Sequence, residues 1–350
     1  MRKIIYKLLQ SLLLVCVLVT FSVVLYSLLV KYWQIEEELK GDVILILVTS
    51  IFSTLGILFL NNSLSKKAGK KETFAYNIAI IGLPKSGKTT FITSLFGAII
   101  HGKIKMNDYD VLLKGNATIE MVNENLSLLD KGVAIGATTD QTIFSYRVNL
   151  EEKDSSFFRA QKAYNVEIGD FQGEMTRDLI DLSTKMWRHD SDFFNWVKDA
   201  DAFVFIVDLA QYLKNEKEYI ADISKSFRSA WQKILELNSM QVHKMRRKPI
   251  QIIFNKADVL VDSYEYPINK IDSIAFARKG EMLPKIRYEN IDSEKAKEIS
   301  EQFSDMLNFF CYNSKNVNSC FYSSFLADKY EYRYGLTNIV NHIFPNRKHN

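Results

Sequence analysis

A glycine-rich loop between a predicted strand and a predicted helix has the residue types and spacing that bind phosphate. Asn77 to Ile81 predicts the strand, the sequence GLPKSGKT follows, and Thr90 to Ile100 predicts the helix. This is the Walker A pattern in its required context. Its glycines let backbone amides close around phosphate oxygens, and the helix N-terminus adds a partial positive charge. The predicted nucleotide-binding residues of this segment are Gly82, Pro84, Lys85, Ser86, Gly87, Lys88, Thr89 and Thr90.

Three side chains of this loop are candidates for specific roles. Lys88 is expected to reach the β- and γ-phosphates and to take part in catalysis, and the Thr89 hydroxyl is expected to ligate magnesium. Lys85 leaves two alternatives open. Its ammonium group either acts as a built-in cation beside the phosphates or points into solvent.

A second segment predicts the rest of a magnesium site. Val166 to Gly169 predicts a strand that ends in the sequence DFQGE, which starts at Asp170. A carboxylate at the end of a strand beside the phosphate loop can hold magnesium through water, and the Gly173 amide can contact the γ-phosphate. The predicted metal ligand in this segment is therefore Asp170.

A third segment predicts which base is bound. Ile250 to Phe254 predicts a strand that leads into Asn255 and the sequence NKAD. The Asp258 carboxylate can accept hydrogen bonds from the ring N–H and the exocyclic amine of guanine, whereas adenine leaves it unpaired. Asn255 is expected to tie this segment to the phosphate loop, and the Lys256 stem is expected to lie over the ring. The predicted cofactors are GTP or GDP with Mg²⁺.

Two long uncharged runs near the start of the chain predict a membrane hairpin. At a rise of about 1.5 Å per residue, Leu8 to Val30 is long enough to cross roughly 30 Å of hydrocarbon, and Val43 to Leu60 is marginal. Residues 31–42 between them carry an acidic excess. The basic residues that flank the two runs on their other sides are Arg2, Lys3, Lys7, Lys66, Lys67, Lys70 and Lys71. By the positive-inside rule, both termini are expected in the cytoplasm, in a multi-pass membrane protein with two helices.

The composition agrees with one globular domain beside this hairpin. The chain has 350 residues, of which 47% are hydrophobic and 25% are charged. That is material for one domain of roughly 200 residues or more. The formal net charge of +4 gives no reason to expect nucleic acid as a partner. The three cysteines and five histidines show no metal-ligand spacing.

The order of the motifs GLPKSGKT, DFQGE and NKAD resembles the Ras-like P-loop GTPase superfamily, from residue 76 to about residue 345. The resemblance implies an α/β P-loop NTPase fold, a three-layer sandwich with a mostly parallel six-stranded sheet. Ala202 to Val207 fits the strand between the last two motifs. The resemblance also implies a serine-containing loop after the last strand, Ser319 to Ser323, and a closing helix at Gly335 to Phe344. Ser323 and Ser324 are the candidates for nucleotide contact in that loop.

The resemblance implies two further catalytic features. A switch threonine should precede the strand Ile143 to Leu150 and complete the magnesium shell. Thr139 is the first choice for this residue and Thr138 a close alternative. Many relatives have a glutamine after DxxG that positions the attacking water, whereas this chain has Glu174. A carboxylate can orient water but repels phosphate, so hydrolysis is expected to be slow without a partner.

These features predict two parts of the chain. Residues 1–72 are expected to form the hairpin, with helices at about 8–30 and 43–60, and a basic linker. Residues 73–350 are expected to form the GTPase domain, with an inserted strand and helix around 103–130 and a second insertion at 259–291. The architecture is similar to two groups of relatives. These are the membrane-tethered β subunit of the signal recognition particle receptor and prokaryotic double-GTPase proteins.

The expected function is a GTP-binding switch that recruits an unidentified protein effector to the lipid bilayer and hydrolyses GTP slowly. Two alternatives remain open. One is a constitutive GTP-bound membrane scaffold without turnover. The other is an ATP-driven mechanochemical P-loop NTPase, which the guanine-type sequence NKAD disfavours.

The hairpin prediction can be tested by thiol labelling of intact cells. A Lys70→Cys variant should resist a membrane-impermeant maleimide added outside, because the basic flank of the second helix is expected in the cytoplasm. A Glu37→Cys variant, in the acidic connector, provides the positive control. Efficient labelling at position 70 in unbroken cells would rule out this topology.

Overall fold

The structure is a computed structural model that describes residues 72–104, 106, 108–131, 133, 135, 144–153, 161–170, 192–261, 290–327 and 333–345. All of these residues belong to one compact unit. The predicted hairpin and most of the insertion at 259–291 lie outside them. Among the helices that the structure describes, none is both long and apolar enough to cross a membrane.

In the described residues, seven strands form one sheet. In chain order they are β1 (Glu72–Gly82), β2 (Tyr109–Leu113), β3 (Phe144–Glu152), β4 (Lys162–Asp170), β5 (Ala202–Asp208), β6 (Ile250–Asn255) and β7 (Val317–Tyr322). Their order across the sheet is β2-β3-β4-β1-β5-β6-β7. β3 pairs antiparallel with β2 and β4, and the four remaining pairs are parallel. The sheet is mostly parallel as predicted, but the predicted number of six strands is wrong.

Helices connect these strands. They are α1 (Lys88–Ile100), α2 (Asn116–Asp130), α3 (Asp192–Asp199), α4 (Leu209–Tyr212), α5 (Glu216–Leu237), α6 (Val242–Met245), α7 (Ser293–Gln302), α8 (Ser304–Asn313) and α9 (Leu336–Ile343). Two short 3₁₀ helices cover Ser239–Gln241 and Ala257–Leu260.

The inner strand β5 shows how the sheet is buried on both faces. All seven of its residues, AFVFIVD, are buried. Ala202, Val204 and Ile206 pack in a core with α1, α2 and α9, whereas Phe203, Phe205 and Val207 pack in a second core with α5 and α8. Successive side chains of a strand point to opposite faces, so a continuous apolar run produces two cores.

The additional strand arises from the segment between α1 and β3. This segment contains β2 and α2, within the stretch 103–130 where the sequence predicts an insertion. α2 packs closely on α1, because a Cβ atom at Gly97 would lie 2.5 Å from Leu126 Cδ1. At the end of α2, the Asp130 carboxylate pairs with the buried Arg333 guanidinium at 3.3 Å. The inserted helix therefore contacts both the helix after the phosphate loop and the segment after β7.

Gly335 brings the last helix onto β7. It lies at the N-cap of α9 with a φ of 79°, in the left-handed region that favours glycine. A Cβ atom there would lie 2.1 Å from the Phe321 carbonyl oxygen. Because the obstacle is backbone, neither a rotamer change nor a small shift of a side chain can relieve it.

A Gly335→Ala variant should lower the free energy of unfolding by about 2–4 kcal/mol, through the left-handed backbone and the clash together. Gly102→Ala is the matched control, because Gly102 has a φ of 60° but a Cβ atom there would meet no other described part of the chain within 4 Å. The control should cost only about 1 kcal/mol. Urea unfolding of the purified full chain, followed by tryptophan fluorescence, measures both. Equal losses in the two variants would contradict the proposed close approach.

Candidate nucleotide-binding site

Four strands end at one edge of the sheet, and each end carries a residue of the site. β1, β5, β6 and β7 are parallel neighbours, and Asp208, Asn255 and Tyr322 are aligned in their register. Gly82 at the end of β1 pairs with Ile206. Ligands of parallel α/β sheets bind beyond the carboxyl ends of the strands. The phosphate loop, the sequence NKAD and the serines after β7 therefore meet at one edge.

The phosphate loop curves around the Lys88 ammonium group. The Lys88 Nζ donates to the carbonyl oxygens of Gly82 at 2.9 Å and Leu83 at 3.2 Å, and its side chain is buried. Gly87 has a φ of 85° and leads directly into α1. The ammonium group and the first turn of α1 thus face the same loop, which is the arrangement that binds phosphate at a helix N-terminus.

Lys85 and the two threonines complete the phosphate loop. Lys85 has a φ of 65°, a left-handed conformation that costs a non-glycine residue roughly 1 kcal/mol or more. Its side chain is exposed, and Thr89 and Thr90 are half-buried in the first turn of α1. The catalytic role of the Lys85 ammonium group stays a prediction.

Asn255 joins the end of β6 to the phosphate loop. Its Nδ2 donates to the Ser86 carbonyl oxygen at 2.7 Å, and its Oδ1 accepts from the Lys256 amide at 2.8 Å. A Cβ atom at Gly87 would lie 2.6 Å from Asn255 Nδ2. The glycine before Lys88 is therefore required for this hydrogen bond as well as for the left-handed turn.

The two serines after β7 have different contacts. The Ser323 hydroxyl donates to Asp258 Oδ1 at 2.6 Å and accepts from the amides of Phe325 at 3.0 Å and Leu326 at 3.2 Å. Asp258 is only 2% exposed. The Ser323 hydroxyl thus orients the carboxylate that is predicted to read guanine.

The neighbouring Ser324 contacts a different part of the site. The Ser324 hydroxyl lies 3.0 Å from the Tyr322 hydroxyl, and it accepts from Ser94 of α1 at 3.4 Å. Between the two candidates in this loop, the structure brings Ser323 to Asp258 and Ser324 to the helix behind the phosphate loop.

Asp208 is a residue of this edge that sequence analysis missed. Its carboxylate Oδ2 lies 2.6 Å from Lys256 Nζ, and its Oδ1 accepts from the first amides of α4. Burial and the nearby Asp208 charge raise the pKa of the Tyr219 hydroxyl well above its ordinary value. Burial also lowers the pKa of Lys214, against the attraction of Asp208. The signal in the sequence was an acid directly after a buried apolar run.

The magnesium side of the site is described only in part. Asp170 is the last residue of β4, which runs parallel to β1, with Ile78 opposite Ile168. The end of β4 therefore reaches the same edge as the phosphate loop, which fits a magnesium site shared with Thr89. Thr138, Thr139, Gly173 and Glu174 lie outside the described residues. Within the described chain, no cluster of three or more His, Cys, Asp or Glu side chains could hold a metal by itself.

A comparison with known protein families shows the family to which the chain belongs. The family described as Double-GTPase 2 matches residues 77–311. The chain belongs to the double-GTPase 2 family. The matched part of this double-GTPase begins in β1 and ends in α8, so it contains the phosphate loop, Asp170 and the sequence NKAD. Membership implies that the protein binds GTP or GDP and hydrolyses GTP, and magnesium is typical of such sites.

Two further comparisons add little to this relationship. No curated protein matches the double-GTPase. A solved structure, the signal recognition particle receptor SRb-GTP/SRX complex from Chaetomium thermophilum, is similar with a TM-score of 0.35 and 12% identity. The match covers 77% of this chain and 98% of that chain. A likeness of this size carries no information on function.

The different contacts of the two serines predict different effects on nucleotide binding. Ser323→Ala should weaken GDP binding by about 10-fold, because Asp258 loses its orienting donor and two amides lose their acceptor. Ser324→Ala is the matched control and should weaken it by less than about 3-fold, since the described contacts of its hydroxyl are with other hydroxyls. Titration of the full chain with a fluorescent GDP analogue measures both affinities. A larger loss for Ser324→Ala would contradict this assignment.

Proposed function

We propose that this double-GTPase is a membrane-anchored switch that binds guanine nucleotides, hydrolyses GTP slowly and recruits a protein partner in its GTP-bound form. The observation that carries the proposal is the buried Asp258 carboxylate, held by Ser323 at the edge where the phosphate loop lies. The same edge of the sheet therefore has a carboxylate that can recognise the base and a loop that can bind the phosphates.

Guanine is the base that this carboxylate fits. Ser323 donates to one oxygen of Asp258, which fixes the direction of the carboxylate. The ring N–H and exocyclic amine of guanine supply two donors in the arrangement that a carboxylate accepts. With adenine the buried carboxylate would lack these donors, and such a mismatch costs on the order of 10³-fold or more in affinity. GTP and GDP are therefore the proposed ligands.

The phosphates are held by groups around the loop between β1 and α1. Lys88 supplies a positive charge, and the amides at the start of α1 supply donors. Thr89 and Asp170 would hold Mg²⁺, the first directly and the second through water. When bound, the metal neutralises charge that develops on the phosphates. This chain's own part in the reaction is to fix the phosphates and to exclude other orientations.

Two residues, Glu174 and Thr139, are the basis for proposing that GTP hydrolysis is slow. Thr139 would complete the metal shell, and Glu174 would orient the attacking water while its charge repels the phosphate. A partner that supplies a cation would accelerate such a site. The proposal of membrane anchoring rests on the uncharged runs 8–30 and 43–60 and their basic flanks.

The base assignment is tested by exchanging the carboxylate for an amide. Asp258→Asn should weaken GTP binding by about 2–4 kcal/mol and shift the preference toward xanthosine nucleotides, whose ring offers the complementary group. Asp305→Asn, an exposed acid of α8, is the control and should bind GTP as the wild type does. Competition titrations with GTP, ATP and xanthosine triphosphate on the full chain measure the preference.

Two outcomes would count against the proposal. Equal affinity of the wild type for ATP and GTP would refute the base assignment. Single-turnover assays with bound GTP then test hydrolysis, which should proceed slowly and depend on Mg²⁺. A wild type that holds GTP without any cleavage would be a scaffold rather than a slow GTPase.

A further inference from the structure

Asp208 is a buried acid with partners on both carboxylate oxygens. It is 1% exposed, at the end of β5 between the phosphate loop and the sequence NKAD. Oδ1 caps α4 through the amides of Ala210 and Gln211, and Oδ2 pairs with Lys256 Nζ at 2.6 Å. A buried carboxylate is stable only if such partners are present. The contact with Lys256 is therefore part of the core of the site and not a surface ion pair.

The Lys256 ammonium group joins three segments. Besides Asp208, it donates to the Lys85 carbonyl oxygen in the phosphate loop at 3.2 Å, while the Lys256 amide donates to Asn255. Lys256 has a φ of 63° and Lys85 a φ of 65°. In the part of the chain that the structure describes, these are the non-glycine residues with left-handed backbone. The ammonium group thus connects the two strained points of the site.

We propose that Asp208 is a positioning residue for nucleotide binding, which holds Lys256 so that the phosphate loop and the guanine-reading segment keep one relative arrangement. This inference rests on the proposed guanine-nucleotide function. Asp208 fixes the Lys256 ammonium group, so that the lysine stem lies between the guanine-reading segment and the phosphate loop. In this position the ammonium group also stabilises the Lys85 peptide in its left-handed conformation. Without the charge of Asp208, the long lysine side chain gains rotamer freedom and this stabilisation is lost.

Among the described residues, two further titratable groups, Tyr219 and Lys214, lie near Asp208, whose carboxylate pairs with the first amides of α4 and with Lys256. The Asp208 amide donates to the Tyr219 hydroxyl at 2.7 Å, and the high pKa of that hydroxyl keeps it neutral. Desolvation lowers the pKa of Lys214, and the attraction of the nearby Asp208 charge acts in the opposite direction. The Lys256 ammonium group is the cation within ion-pair distance of Asp208 among the described residues.

The test removes the charge of Asp208 and keeps the helix cap. Asparagine caps helices as well as aspartate does, so Asp208→Asn isolates the ion pair from the cap of α4. It should weaken GDP and GTP binding by the same factor, roughly 10-fold or more. The preference for GTP over ATP should be retained, because Asp258 and Ser323 are untouched. Isothermal titration of the full chain measures these affinities.

A double-mutant cycle separates positioning from general stability. Lys256→Met keeps the apolar stem and should weaken GDP binding about as much as Asp208→Asn does. If Asp208 acts through Lys256, the double variant should bind GDP no more weakly than Lys256→Met alone. Asp201→Asn is the matched control, since Asp201 pairs with Lys248 at 3.6 Å next to the opposite end of β5. It should leave GDP affinity within about 2-fold of the wild type.

The outcomes distinguish the inference from the function on which it rests. A wild type without any preference for guanine nucleotides would overturn both. Tight GDP binding by the wild type, with unchanged affinity in Asp208→Asn or fully additive losses in the cycle, would overturn the role of Asp208 alone. If Asp208→Asn fails to fold by circular dichroism, Lys256→Met decides, because unchanged affinity in that variant also overturns the inference.

Discussion

The hydrogen bond from Asn255 to the Ser86 carbonyl is the constraint on which the site depends. It joins the end of β6 to the phosphate loop, two segments that are 169 positions apart in the chain. Gly87 permits the approach, because a side chain there would collide with the amide nitrogen. Buried polar groups without partners are costly, so this contact and the parallel register of β5, β6 and β7 stabilise each other.

The parts of the fold that sequence analysis predicted well are those with local signals. Ala202 to Val207 and Ile250 to Phe254 were predicted as strands, and the observed strands extend each by one residue, because contiguous buried apolar runs mark central parallel strands. The phosphate loop was predicted from its motif. β1 begins five residues earlier than predicted, since its exposed first residues join β4 through backbone pairing. Such pairing leaves no hydrophobic pattern in the sequence.

Other features depend on contacts between distant segments, and sequence analysis could not supply them. The pairing of β2 with β3 turned the predicted six strands into seven, although β2 has only five residues. Asp208 has no local signal beyond its position after a buried strand, because its role depends on Lys256, 48 positions away in the chain. The two serines after β7 were equivalent in the sequence, and only their hydroxyl directions separate Ser323 from Ser324. Magnesium coordination and the membrane hairpin stay predictions.

The short strand β2 divides the outer edge of β3 in two. It pairs with the half of β3 from Val148 to Glu152, and Val148 to Glu151 also pair with β4 on the other side. Among described residues, the other half, Phe144 to Arg147, pairs with β4 alone. Four residues offer roughly 13 Å of ladder. A foreign strand that extends the sheet on this side, opposite the β7 edge, must therefore use this short length beside the predicted switch loop, or else join the outer side of β2.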